Sequence, residues 1–167
     1  MQLHIVLFEP AIILNVGNIA RTCLAFNAML HLIRPYGFIF DRAKLKRSST
    51  NHIDLIQLNQ YDNWNEFIKL NSENAKYFFY SRWGNLAPDD INIKTVVNEN
   101  PDINLYLVFG NEQTGIPFEI LNQYPNQIIR IPMNQNLICL NIANSVSIAC
   151  YEVLRQLKYI GLYKEGK

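Results

Sequence analysis

Two short stretches carry residue types at spacings that could grip a ligand. The first is Phe109-Gly110-Asn111-Glu112-Gln113-Thr114-Gly115. Its glycines let the backbone turn tightly around a bound molecule, and Glu112 can accept hydrogen bonds from hydroxyls or an amine. It matches neither the G-x-G-x-x-G fingerprint nor a phosphate loop ending in Gly-Lys-Ser/Thr. The same residues would also serve a plain strand-to-helix turn with a capping glutamate. The second stretch runs from Ile131-Pro132-Met133 through Cys139-Leu140 to Asn141 and Asn144. Backbone groups of such a loop can hold an adenine by its edges. Both follow apolar strand-like segments, at the carboxyl ends where open α/β sheets bind ligands.

A third constellation is Asn15-Val16-Gly17-Asn18-Ile19-Ala20-Arg21, at the start of a helix-like segment. Asn15 has the chemistry of a helix cap, and Arg21 offers a fork for phosphate near the anion-attracting end of a helix. A capped helix with a solvated arginine reads equally well here. A fourth is the basic stretch Arg34, Arg42, Lys44, Lys46 and Arg47, opposed only by Asp41 and interleaved with Tyr36, Phe38 and Phe40. Phosphate contact and base stacking need that mixture, and so does an ordinary solvated face. His4, His31 and His52 have no ligand spacing, and no Ser-His-Asp order or H-E-x-x-H run occurs. Cys23, Cys139 and Cys150 are odd in number and widely spaced. That fits a reducing cytoplasm better than a disulfide framework or a zinc site.

These residues must be positioned by a fold. The 167 residues suit one domain with a real core. Hydrophobic content is 49% and charged content 17%, ordinary for a soluble globular chain. The net charge of +1 means that any nucleic-acid contact rests on a local patch. No signal peptide and no membrane span is read. Strand-like segments are expected at 3–8, 30–33, 53–58, 77–80, 105–109 and 127–131. Helix-like segments are expected at 15–27, 61–70, 117–123 and 141–158, with Ala43 to Arg47 a short basic helix or loop. In the last helix Ile142, Val146, Ala149, Cys150, Val153, Leu154 and Leu157 recur at helical spacing, so one face is buried. This alternation argues for an α/β fold, a mostly parallel sheet with helices on both faces. Twenty-one asparagines are spread evenly, and no function is attached to them.

Taken in order, the pieces resemble the SPOUT class of S-adenosylmethionine-dependent RNA methyltransferases. More narrowly they resemble the small SpoU-type enzymes that 2′-O-methylate the wobble nucleotide of tRNA. The matching residues are Glu9-Pro10, Asn15-x-Gly17-Asn18-Ile19-x-Arg21, Pro35-x-Gly37-Phe38, Phe109-Gly110-x-Glu112-x-x-Gly115-x-Pro117, Arg130-Ile131-Pro132-Met133, Leu140-Asn141, Asn144 and Tyr151-Glu152-x-x-Arg155-Gln156-Leu157.

The resemblance implies a deep C-terminal trefoil knot, a bent S-adenosylmethionine, and a homodimer whose active sites draw on both subunits. It makes Arg21 the leading catalytic residue, beside the ribose hydroxyl, with Asn15 and Glu112 in support. Tyr80, Gly110, Ile131, Met133, Cys139 and Leu140 fall where the family lines its cofactor pocket. Tyr151 matches a position of tRNA contact and Lys164 in the tail is placed with it; Arg42, Lys46 and Arg47 of the basic stretch, read from their charge, join them as the expected RNA contacts, and no metal is expected. Ile138-Cys139 departs from the family's usual Arg-Ser, and Trp83-Gly84 lacks the lysine often found before this glycine. Ribosomal RNA or another tRNA position as target, a degenerate RNA-binding homologue, and a small-molecule enzyme of Rossmann type stand as the alternatives.

Overall fold

The computed structural model describes residues 1–41 and 55–166. The first seven-residue run, Gln2–Phe8, is the middle of the molecule (β1). It pairs in parallel with β2 (Met29–Ile33) on one side and β5 (Asn104–Phe109) on the other. β3 (Leu58–Tyr61) extends the sheet beyond β2, and β4 (Ala75–Tyr80) and β6 (Ile128–Ile129) extend it beyond β5. The order is β3-β2-β1-β5-β4-β6, every pairing parallel. The strand order therefore reverses between β1 and β5, where doubly wound sheets open a crevice.

Strand alternation divides β1 between two cores. Leu3, Ile5 and Leu7 face α1 (Ile13–Ala25) and the last helix, α5 (Ile142–Gln156), meeting Val16, Ile19, Cys23, Val146, Ala149, Cys150 and Val153. Val6 and Phe8 face an aromatic layer that includes Trp64 and Phe67 of α2 (Trp64–Leu70), together with Ile120 and Leu121 of α4 (Phe118–Leu121). The remaining α-helix among the described residues, α3 (Ile93–Glu99), buries Ile93. The expected helices-on-both-faces architecture is what the chain adopts. No helix among the described residues is long and apolar enough to cross a membrane.

Some boundaries differ from those expected, each for a local reason. The strand expected over 53–58 is displaced to Leu58–Tyr61, in register with Leu30–Ile33; residues 53 and 54 lie outside the described residues. Tyr61 is thereby spent on the sheet. The helix expected from 61 starts instead at Trp64, where the Asn63 side chain accepts from the Glu66 N–H at 2.9 Å. The strand expected over 127–131 shrinks to two residues. Beyond them the backbone hydrogen bonds leave the sheet: the Ser81 N–H donates to the Ile129 carbonyl at 2.9 Å, and the Arg130 N–H donates to the Leu86 carbonyl at 2.8 Å. The loop after β4 thus grips the chain leaving β6. A Cβ on Gly84 would lie 2.4 Å from the Ile129 carbonyl carbon, so only glycine allows this approach. The asparagines have a structural use after all, since Asn63, Asn92 and Asn141 cap α2, α3 and α5.

Candidate active site

Four loops converge at the carboxyl ends of β4, β5 and β6 and enclose a cavity of about 410 Å³. Its lining contains each of the six residues expected to hold a cofactor: Tyr80, Gly110, Ile131, Met133, Cys139 and Leu140. Asn15 and Glu112 line it too, whereas Arg21 does not.

The glycine loop closes on itself. The Asn111 N–H and the Gly115 N–H each donate to the other residue's carbonyl, at 3.1 and 2.9 Å, and Gly115 takes φ +75°. A Cβ on Gly110 would stand 2.2 Å from the Gly115 carbonyl carbon. The Asn111 side-chain oxygen accepts from the N–H groups of Gln113 and Thr114, and its amide donates to the Glu9 carbonyl at 2.6 Å. Glu9 itself sits at φ 49°. Sequence reasoning passed over Asn111, although an asparagine opening a glycine-bounded turn is the signal for this role.

Glu112 caps a helix remote in sequence. α1 has no side-chain cap of its own at Ile12. Glu112 fills that place from a hundred positions away, accepting from the Ala11 N–H at 2.7 Å and the Ile12 N–H at 3.3 Å. A carboxylate at a helix N-terminus is favoured by the unsatisfied N–H groups and the helix dipole. Glu112 also accepts from the Asn15 amide at 2.9 Å, and Asn15 accepts from the Asn141 amide at 3.1 Å. Asn141 in turn accepts from the Ala143 N–H at 2.9 Å, capping α5. One line of hydrogen bonds therefore joins the glycine loop to the starts of α1 and α5. Asn15 is 8% exposed and fully engaged in this relay. It is not the helix cap that its position suggested, because α1 begins two residues earlier, at Ile13. Asn141, read only as a cap, is the relay's third member.

Tyr80 stacks on Phe109, with ring centroids 4.9 Å apart and planes 14° apart. Its burial pushes the hydroxyl pKa above the usual range, so it stays a neutral, largely apolar wall. Cys139 is exposed to the cavity, while Cys23 and Cys150 are buried in the core. Arg21 is exposed on α1 and makes no hydrogen bond or ion pair among the described residues, so it is not brought to Asn15 or Glu112. Tyr151 and Lys164 come together through Tyr159, whose hydroxyl donates to that of Tyr151 at 2.8 Å and whose ring lies 5.5 Å from Lys164 Nζ. Arg42, Lys46 and Arg47 lie outside the described residues, as does His52. His4 and His31 are buried on the far face of the sheet, well away from this cavity. Among the described residues no cluster of three or more His, Cys, Asp or Glu could hold a metal ion.

Residues 2–151 match the model of the SpoU rRNA methylase family. The chain belongs to the SpoU methylase family. A proposed tRNA (cytidine(34)-2′-O)-methyltransferase of Geobacillus stearothermophilus is 37% identical over 162 residues, covering 97% of this SpoU chain and 99% of its own length. A solved structure concerned with 2′-hydroxyl methylation of cytidine or uridine 34 on tRNA has a TM-score of 0.84 and 34% identity, covering 94% of this chain and 97% of that one. An rRNA methyltransferase of Sinorhizobium meliloti, solved with S-adenosylmethionine bound, shares the SpoU fold at a TM-score of 0.79 and 23% identity, covering 93% of this chain and 57% of that one.

Proposed function

We propose that this chain is an S-adenosylmethionine-dependent methyltransferase that acts on the ribose 2′-hydroxyl of the tRNA wobble nucleotide, cytidine or uridine. The observation that carries the reading is the convergence of all six expected cofactor residues on one cavity, roofed by the Glu112–Asn15–Asn141 relay. Relatives similar over nearly their whole length, whose names and subject are cytidine or uridine 34 of tRNA, support that target.

The cavity suits the cofactor chemically. Apolar walls from Tyr80, Ile131, Met133 and Leu140 fit an adenine and a thioether chain, and the turns at Gly110 and Gly115 expose backbone donors and acceptors to polar edges. S-adenosylmethionine, bound there, supplies a methyl group on a positively charged sulfur. The protein's work is positioning, because alignment of the attacking oxygen provides much of such a rate. Glu112 and Asn15 are positioning residues that fix the glycine loop against the start of α1. Arg21 is the catalytic candidate, its guanidinium holding the ribose hydroxyl or the neighbouring phosphate in place; the hydroxyl oxygen would take the methyl group as its bond to sulfur breaks, and the hydroxyl proton would pass to solvent water.

Arg21 does not line the cavity of its own chain. We infer that it serves the site of a second copy in a homodimer. Ile12 and Leu14 of the α1 region and Ile148 of α5 are exposed apolar residues on two helices packed against each other, and they offer the surface for it. The grip of residues 81–86 on Ile129 and Arg130 supports the trefoil knot of this class. The expected RNA contacts Tyr151 and Lys164 share one exposed patch, which fits tRNA binding there. The three free thiols fit work in a reducing cytoplasm.

The test is methyl transfer from labelled S-adenosylmethionine to tRNA, followed by nucleoside mapping. Label in a 2′-O-methylated wobble cytidine or uridine is expected. Label elsewhere, or none despite cofactor binding, would sink the assignment.

A further inference from the structure

At the mouth of the cavity the aromatic rings of Trp83 and Phe118 stand 5.5 Å apart, and each is 55% exposed. Half-exposed aromatic pairs cost solvation free energy and are retained where something covers them. Trp83 does not stand there through loose backbone. It sits in a turn closed by the Gly84 N–H donating to the Ser81 carbonyl at 3.1 Å, and its own N–H donates to Ser81 Oγ at 3.3 Å. Arg130 Nη1 donates to the Arg82 carbonyl at 2.6 Å, and Gly84 lies against the Ile129–Arg130 backbone. The turn is thus braced from both sides while its largest side chain faces outward. The Arg82 guanidinium lies 4.6 Å from the Trp83 ring centre, a cation–π pair at the protein surface.

Trp83 and Arg82 belong to the cavity wall, whereas Phe118 lies beyond it, so the pair straddles the rim. Two exposed rings with planes 47° apart, flanked by Arg82 and Arg130, match one chemistry closely, an unpaired nucleobase that stacks on one ring, abuts the other and is joined to phosphates. Glu119 is the nearest opposing charge in sequence, one residue from Phe118 at the start of a single-turn helix. We propose that Trp83 and Phe118 form a stacking platform for an unpaired base of the RNA substrate, with Arg82 meeting the adjoining phosphate. The proposal rests on the functional reading above and deepens it by naming a substrate subsite. The platform holds the nucleotide chain at the rim, and the target ribose enters the cavity beside it.

Trp64 is buried in the aromatic layer, so fluorescence quenching on addition of RNA reports mainly Trp83. Addition of an anticodon stem-loop RNA is expected to quench emission of the full chain. Trp83→Ala should remove that quenching and raise the Kd for this RNA about 5- to 100-fold, the span expected for one lost base–aromatic stack. Phe118→Ala should weaken binding in the same direction. Trp83→Phe should restore most of the affinity, because a π-face is kept. In Phe118→Ala, whose ring lies beyond the cavity wall, the Kd for S-adenosylmethionine should change less than twofold. Unchanged RNA affinity in Trp83→Ala would overturn the platform. So would an equal loss of cofactor affinity in Phe118→Ala, which would assign the rings to the cofactor. If the unaltered protein methylates no tRNA, the functional reading falls separately. The platform is then judged with polyuridylate, where quenching at Trp83 upholds it and absence of quenching ends it.

Discussion

Glu112 does three jobs with one carboxylate: it caps α1, anchors Asn15 and closes the glycine loop onto β1's exit turn. Glu112→Ala should lower stability by about 1–3 kcal/mol, the range for buried partners left unsatisfied, with a matching loss of cofactor affinity. Denaturant unfolding alongside calorimetric titration of S-adenosylmethionine checks both. Glu112→Gln, which keeps an acceptor oxygen, should fall between the two. At this scale the residue types were legible and their partners were not. Glycine, asparagine and glutamate in one loop announce a tight polar turn. That Glu112 reaches Ala11 and Ile12 follows only from β1 and β5 lying side by side, a pairing across a hundred residues. Arg21 shows the opposite case: its position in the sequence invited a contact with Asn15, and the described residues give it none.

Among the elements, glycine roles separate by geometry. Gly110→Ala would drive a methyl into the Gly115–Ile116 backbone, with contacts of 2.2 and 2.5 Å. That overlap should cost about 1–3 kcal/mol and distort the cavity wall. Gly115→Ala meets open space but must hold φ +75°, so about 1–2 kcal/mol of left-handed strain is expected with the wall otherwise kept. Thermal melts of the two variants should show comparable destabilisation, and titration of S-adenosylmethionine should show a large loss only in Gly110→Ala. Comparable affinities would mean that the loop relaxes around the added methyl. Element identity was readable because period-2 and period-3.6 patterns are local. Element ends were less so, since tertiary pairing decided them: β6 stops where the 81–86 loop takes over its hydrogen bonds, and the helix expected from Tyr61 loses three residues to β3 and to the Asn63 cap.

The molecule as a whole carries a buried histidine pair on its aromatic face. His4 Nδ1 lies 2.8 Å from His31 Nε2, and His31 Nδ1 lies 2.8 Å from the Tyr61 hydroxyl. Burial lowers the pKa of His4 to about 4 and that of His31 to about 3. Unfolded histidines titrate near 6.5, so between these values the unfolded chain binds more protons. The stability held by the neutral pair is complete above pH 6.5 and falls with pH, by about 2 kcal/mol per histidine between pH 7 and pH 5. Urea unfolding across that window checks it, and His31→Phe should flatten the slope. The proposed shared-site dimer has its own test at this scale. Arg21→Ala and Gly110→Val should each be inactive alone. Mixed and re-equilibrated they should regain roughly a quarter of wild-type methyl transfer, since random pairing in an isologous dimer leaves one intact site in half the dimers. No recovery would confine each site to one chain. The reversal of strand order between β1 and β5 governs when such a machine becomes dangerous to RNA at all. On the ribosome, β1, β2 and β3 are made early, but the cavity walls are spread from Ile12 to Ser145, and the last of them to be made is the start of α5. A chain that stops short of α5 has part of a sheet and no alkylating centre, so methyl transfer switches on only once synthesis has passed Ser145.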